Sequence, residues 1–128
     1  MLVRIMATEP DERFLFYPYL QLLPFLTDRR QVSMYDLFTP GYTTPLQYRE
    51  TCIAAMQQAQ WLVIDRVWDA PEAFLRLFPS LAQPNPPERT RTEQALERGF
   101  TFVAREGSLE LRQRAAGVDE TVCAGIAN

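Results

Sequence analysis

Enzymes that work near neutral pH commonly rely on histidine, the side chain whose proton affinity lies closest to that pH. This chain of 128 residues has no histidine. It has no lysine either, and all 13 of its basic residues are arginine. Ser–His and Cys–His nucleophile activation, His-ligated metals, Schiff-base chemistry and a phosphate-binding lysine are therefore excluded. The residues left for chemistry are Asp, Glu, Tyr, Ser, Thr and Cys. In an open α/β sheet, ligands bind beyond the carboxyl ends of the parallel strands. The residues expected at such ends are Tyr17 and Tyr19, then Phe38 to Thr44, with Tyr42, Thr43 and Thr44 singled out, then Asp65 and Arg66. Together they form the expected rim of a ligand site. No catalytic set, cofactor site or metal site is read from them.

Each rim residue also has a plain structural reading. Asp65, at the end of an apolar run, would cap a neighbouring helix or pair with Arg66 or Arg49. Tyr35-Asp36 and Tyr42-Thr43-Thr44 could stack on and hydrogen-bond a sugar, but such residues more often supply Asx-turn and N-cap chemistry. Thr44 at a helix start is too little for a phosphate loop. Trp61 and Trp68 read as core. The acids of 9–12 and 88–97 alternate with arginine and read as solvated faces. Cys52 and Cys123 stand 71 positions apart. A disulfide between them needs an oxidising compartment and close Cα atoms. The expectation is instead a buried small side chain and a thiol in the tail.

Hydrophobic residues make up 47% and charged residues 23%, which suits one domain with one core. The net charge is -3 and no basic stripe is present, so nucleic acid is not an expected partner. The most apolar stretch, 14–26, contains Pro18 and Pro24 and is too short to span a bilayer. Residues 1–7 lead directly into Glu9, Asp11 and Glu12 without a signal-peptide pattern.

The elements that would position these residues follow from periodicity. Residues 1–8 read as a ragged helix or arm, and Pro10 makes 9–13 a polar turn. Residues 14–17 are apolar on both faces and predict a central strand. A short helix over 19–26 and a strand over 31–37 follow. Pro40-Gly41 is a strong turn signal. Thr44 as N-cap and Pro45 at the first helical position start a helix to about residue 59. A strand over 61–65 precedes a helix beginning near Asp69. A proline-rich loop over 83–88 leads to a charged surface helix over 88–98, with Gly99 just past its end. Alternation over 100–105 and 108–112 predicts a hairpin turning at Glu106-Gly107. Residues 1–114 thus form one α/β domain and 115–128 a poorly ordered tail. The expected fold is a small, mainly parallel, Rossmann-like three-layer sheet with helices on both faces and a C-terminal antiparallel hairpin.

Five short motifs, spread over residues 13–114, carry a family resemblance. They are Phe14-Leu-Phe-Tyr-Pro-Tyr19; Leu23-Pro-Phe-Leu-Thr-Asp-Arg29; Tyr35-Asp36 with Pro40-Gly-Tyr-Thr-Thr-Pro45; Trp61-Leu-Val-Ile-Asp-Arg66; and Phe102-Val-Ala-Arg-Glu-Gly-Ser-Leu-Glu-Leu-Arg112. They resemble the soluble C-terminal domain of type C multi-spanning membrane glycosyltransferases, akin to dolichyl-phosphate-mannose–protein mannosyltransferases and their bacterial relatives. Two positions depart from that pattern. Asp28 stands where glycine is usual, and Met34 where arginine is common. The resemblance implies a non-catalytic accessory domain on the extracytoplasmic (periplasmic) face. Its catalytic acids would lie in loops of the membrane-embedded part of the same parent chain. Lipid-linked sugar or a protein acceptor would be the remaining partners. The alternative is a free-standing α/β ligand-binding or interaction module using the strand-end rim. A small enzyme without histidine or lysine is the weakest reading.

Overall fold

A computed structural model describes residues 1–20, 22–35, 38, 43–80 and 85–127. The strands are β1 (Arg13–Tyr17), β2 (Arg30–Gln31), β3 (Trp61–Asp65), β4 (Phe100–Glu106) and β5 (Leu109–Arg114), of which β1 and β3 come from the apolar runs. The helices are α1 (Leu2–Met6), α2 (Leu22–Thr27), α3 (Pro45–Gln58), α4 (Pro71–Leu77) and α5 (Pro87–Gly99). Short 3₁₀ turns occupy Arg66–Asp69 and Glu120–Cys123.

The strands form one sheet in the order β2-β1-β3-β5-β4. β1 is parallel to both β2 and β3, while β5 is antiparallel to both β3 and β4. The antiparallel ladders are the longer ones, so the sheet is mixed rather than mainly parallel. A hairpin needs only a tight turn to add two antiparallel strands, whereas each parallel neighbour needs a whole crossover. β2 is also only two residues long, shorter than the strand expected over 31–37. Asp36 and Leu37, and the expected turn at Pro40-Gly41, lie outside the described residues.

Helices cover both faces, as the double-sided burial of β1 requires. On one face, α3 and α5 pack over Leu15, Tyr17, Leu62 and Ile64. On the other, Ile5 of α1 and Leu23 of α2 pack over Phe14, Phe16 and Val63. Each large side chain so buried contributes roughly 1.5–3 kcal/mol. Among the described residues, no helix is long and apolar enough to cross a membrane.

Several elements differ from expectation for identifiable reasons. The Tyr17–Pro18 peptide bond is cis, and α2 starts at Leu22 rather than at residue 19. Pro24 then falls in the first turn of α2, where a backbone N–H has no helical partner to lose. Gly99 is not a left-handed residue beyond a helix but the last residue of α5. A Cβ there would stand 2.4 Å from Met56 Cε, so its smallness serves the α3–α5 contact. The α5 helix buries Arg89, Thr92, Ala95, Leu96 and Gly99 and is not a purely solvated surface helix. The hairpin turns at Gly107 and Ser108, and Gly107 carries the positive φ of 61°.

Residues 115–127, expected to be poorly ordered, pack against α3 and α5 through buried Cys123 and Ile126. The Cys52–Cys123 disulfide ties this stretch to α3. Arg114 adds three bonds to the last turn of α3, donating to the carbonyls of Ala55, Met56 and Ala59.

Candidate functional site

The order β2-β1-β3 reverses direction at β1, and α2 and α3 lie on opposite faces of the sheet. The carboxyl ends of β1 and β3 therefore mark the point where an open α/β sheet can hold a ligand. Tyr17 ends β1 and is 1% exposed. Its hydroxyl donates to Glu93 Oε2 at 3.0 Å. The Arg89 Nε donates to the same oxygen at 2.8 Å, and a second Arg89 nitrogen donates to the Trp68 carbonyl. The Arg89 guanidinium also lies 4.8 Å from the centre of the Phe74 ring, within cation–π range.

Aromatic rings enclose this polar pair. Trp68 lies 4.6 Å from Phe74 and 5.5 Å from Tyr19, centroid to centroid. Phe38 links Tyr17, at 5.4 Å, to Tyr48, at 5.9 Å. The Tyr48 hydroxyl and the Trp68 Nε1–H are buried without a hydrogen-bond partner among the described residues. Burial pushes the Glu93 carboxyl above its usual range, against the opposing pull of Arg89. Burial also raises Tyr17 well above an ordinary phenol, and the Glu93 charge adds to the effect. Tyr48 is raised as well, chiefly by burial.

Next to this cluster is an open depression of about 270 Å³ whose lining includes Arg66, Asp69, Asn85, Arg89, Glu93 and Gln94. Its charged groups are paired, with the acids outnumbering the arginines. Arg66 holds Glu110 at 2.7 Å, Glu97 at 3.0 Å and Asp69 at 3.8 Å. Burial works to raise Glu110, but hydrogen bonds from Arg66 and Arg112 outweigh it and hold the carboxyl low. Asp69 is raised by burial, with Arg66 and Arg89 opposing.

Four of the expected rim residues meet here: Tyr17 directly, Phe38 against its ring, Tyr19 through Trp68, and Arg66 in the depression. The Asp65 carboxylate is occupied in accepting the Val67 N–H, which caps the 3₁₀ turn. Thr44 is occupied in a capping box with Gln47 at the start of α3. Thr43 is buried, and Tyr42 lies outside the described residues. The sequence reading passed over Arg89, Glu93 and Tyr48. Their signal was present: Arg89, Thr92, Glu93 and Leu96 recur at helical spacing, and an i,i+4 Arg–Glu pair on an otherwise apolar stripe can fold inward as readily as outward.

Chemically, Glu93 shares one oxygen between a guanidinium and a phenol. That arrangement orders polar groups at the strand ends and can present hydrogen-bonding groups to a neutral polar ligand. The depression beside it also holds the acids Asp69 and Glu97. Among the described residues, no group of three or more His, Cys, Asp or Glu is placed to hold a metal ion. Comparison with protein-family models, with curated proteins and with solved structures returns no match to this chain.

Proposed function

We propose that this chain is the extracytoplasmic C-terminal accessory domain of a multi-spanning type C membrane glycosyltransferase, with catalysis carried out elsewhere in the parent chain. The β2-β1-β3 half would be its Rossmann-like part and the β4–β5 hairpin an appended edge. The observation that carries the reading is the backbone at residue 28. The resembled pattern has glycine there, and Asp28 holds a left-handed φ of 51°, the conformation glycine favours. One of the two departures from the pattern thus falls where glycine would be used for its backbone alone, and Met34 remains the other. Gly107, the turn glycine of the same pattern, also has a positive φ. Arg29, the next residue of the motif, is buried and donates to the carbonyls of Met6, Thr8 and Thr27. The Cys52–Cys123 disulfide supports an oxidising, extracytoplasmic setting. In this role the domain would shape access of the acceptor or lipid-linked sugar to the membrane-embedded catalytic part.

The test is an immunoblot of native cells with an antibody against this domain. The reading expects the antigen in the membrane fraction, on a polypeptide several times longer than this chain. A band of this chain's own size in the soluble fraction overturns it.

A second reading, a free-standing ligand-binding module, is favoured by the depression beside Arg89 and Glu93. It expects saturable calorimetric binding of a small polar ligand to the isolated chain. Flat titrations with sugars and nucleotides count against it.

A further inference from the structure

Among the described residues, half of the exposed large hydrophobic side chains lie on one surface, and the rest, such as Met34, Leu46 and Phe102, lie elsewhere. The outward sides of α1 and α2 carry Leu2, Val3, Met6, Leu22, Phe25 and Leu26, with Val3 and Phe25 each 83% exposed. The two helices touch one another and cover the same face of the sheet, so these side chains form one apolar surface. Contiguous exposure of this kind marks an interaction site, because water gains nothing from it. Neither helix carries an acidic residue, and Arg4 is the only charge on either.

A groove of about 460 Å³ borders this face, lined by Arg13, Arg29 and Arg30 with Pro10, Asp11 and Asp28. Arg29 joins the groove to α1 through its bonds to Met6 and Thr8. Arg30 is exposed and has no ion pair or hydrogen bond among the described residues. Three arginines and two acids line it, but Arg29 is buried with its donors on Met6, Thr8 and Thr27, and Arg13 donates to Gln58, so Arg30 is the guanidinium left to meet a ligand. Glu12, next in the chain to this groove, has its carboxylate engaged by Trp61 Nε1.

We propose that the α1–α2 face docks onto a phospholipid bilayer, with an anionic headgroup held in the Arg13–Arg30 groove. The chemistry of the two parts matches the two layers of a membrane surface. Aliphatic and aromatic side chains enter the boundary between headgroups and acyl chains, which demands no hydrogen-bond complementarity. Guanidiniums suit phosphate oxygens and add an attraction that depends on anionic lipid. The proposal stands on this surface alone: its failure would leave the accessory-domain reading intact, and a free-standing chain would leave bilayer docking intact.

The experiment is flotation of the purified full chain with vesicles of phosphatidylcholine, with and without about one quarter phosphatidylglycerol. Wild type floats with both and binds the anionic vesicles more tightly. Phe25→Asp, at an exposed position, weakens binding to both by about tenfold or more while leaving the thermal unfolding midpoint in place. Arg30→Glu removes the preference for anionic vesicles and its salt sensitivity, but not the residual binding to neutral ones. The proposal is overturned if wild type fails to float. It is equally overturned if Phe25→Asp floats like wild type, or if sedimentation shows a dimer abolished by Phe25→Asp without vesicle binding, which would assign the face to a second copy.

Discussion

Asp28 shows how a single residue can separate backbone demand from side-chain role. Its φ of 51° lies in the left-handed region, which costs an ordinary L-residue about 1–2 kcal/mol and Asp somewhat less. Asp28→Gly should therefore raise stability, by about 0.5 kcal/mol, in urea unfolding. Asp28→Val should lower it by more than 1 kcal/mol, on the order of the left-handed penalty. The buried pair Arg89–Glu93 makes the opposite kind of demand, on side chains. Arg89→Met would strand the Glu93 carboxylate inside the fold and should cost about 3 kcal/mol. The pH dependence follows from the direction of each shift. Glu93 binds its proton more tightly folded than unfolded, so its contribution favours folding below the ordinary carboxylate range and is lost as pH rises through its raised value. Glu110 is held low, so its contribution is present above that range and lost as pH falls. Chemical denaturation from about pH 3 to 7 should show Glu93→Gln more stable relative to wild type as pH rises, and Glu110→Gln less stable.

Among the elements, those legible in the sequence were the ones whose signals are local. Thr44 with Pro45 placed the start of α3 correctly, and the apolar runs at 14–17 and 61–65 became β1 and β3. Elements decided by distant partners were not legible. The stretch 115–127 has no hydrophobic period because it is held by long-range contacts: the disulfide, Ile126, and the turn capped by Asp119. The buried side of α5 was missed because it includes Arg89 and Thr92, which are read as polar until Glu93 and the Glu88 carbonyl are seen to satisfy them. The disulfide closes a separation of 71 residues, and loop-closure entropy alone assigns about 4 kcal/mol to it. The double variant Cys52→Ala, Cys123→Ala should lose stability of that order. Limited proteolysis should then cut within 115–127 first, because the covalent tie to α3 is gone and the stretch is held by Ile126, Val118 and Val122 and by polar contacts such as Gln57–Glu120, Arg91–Gly125 and Arg98–Val122.

At the scale of the molecule, one sheet separates two surfaces of different character. The strand-end side gathers paired charged groups around Arg89, Glu93 and Arg66, with acids in excess, whereas the α1–α2 side is apolar with an arginine-lined groove at its border. The accessory domain proposed above would have use for both: one surface against the bilayer, another toward a polar acceptor or sugar. The site was partly legible, since Tyr17 and Arg66 were expected at strand ends, but Asp65 and Thr44 are consumed in capping. Sequence spacing shows which residues sit near strand ends, not which of them the backbone will already have used. The central claim, that this is an extracytoplasmic domain of a larger membrane protein, is tested most directly by protease access in spheroplasts of native cells. The account predicts that protease added outside digests this domain from a membrane-bound polypeptide, with Cys52 and Cys123 unreactive to alkylation until reduced. A small polypeptide, protected until the spheroplasts are lysed and alkylated at both cysteines without reduction, would contradict it.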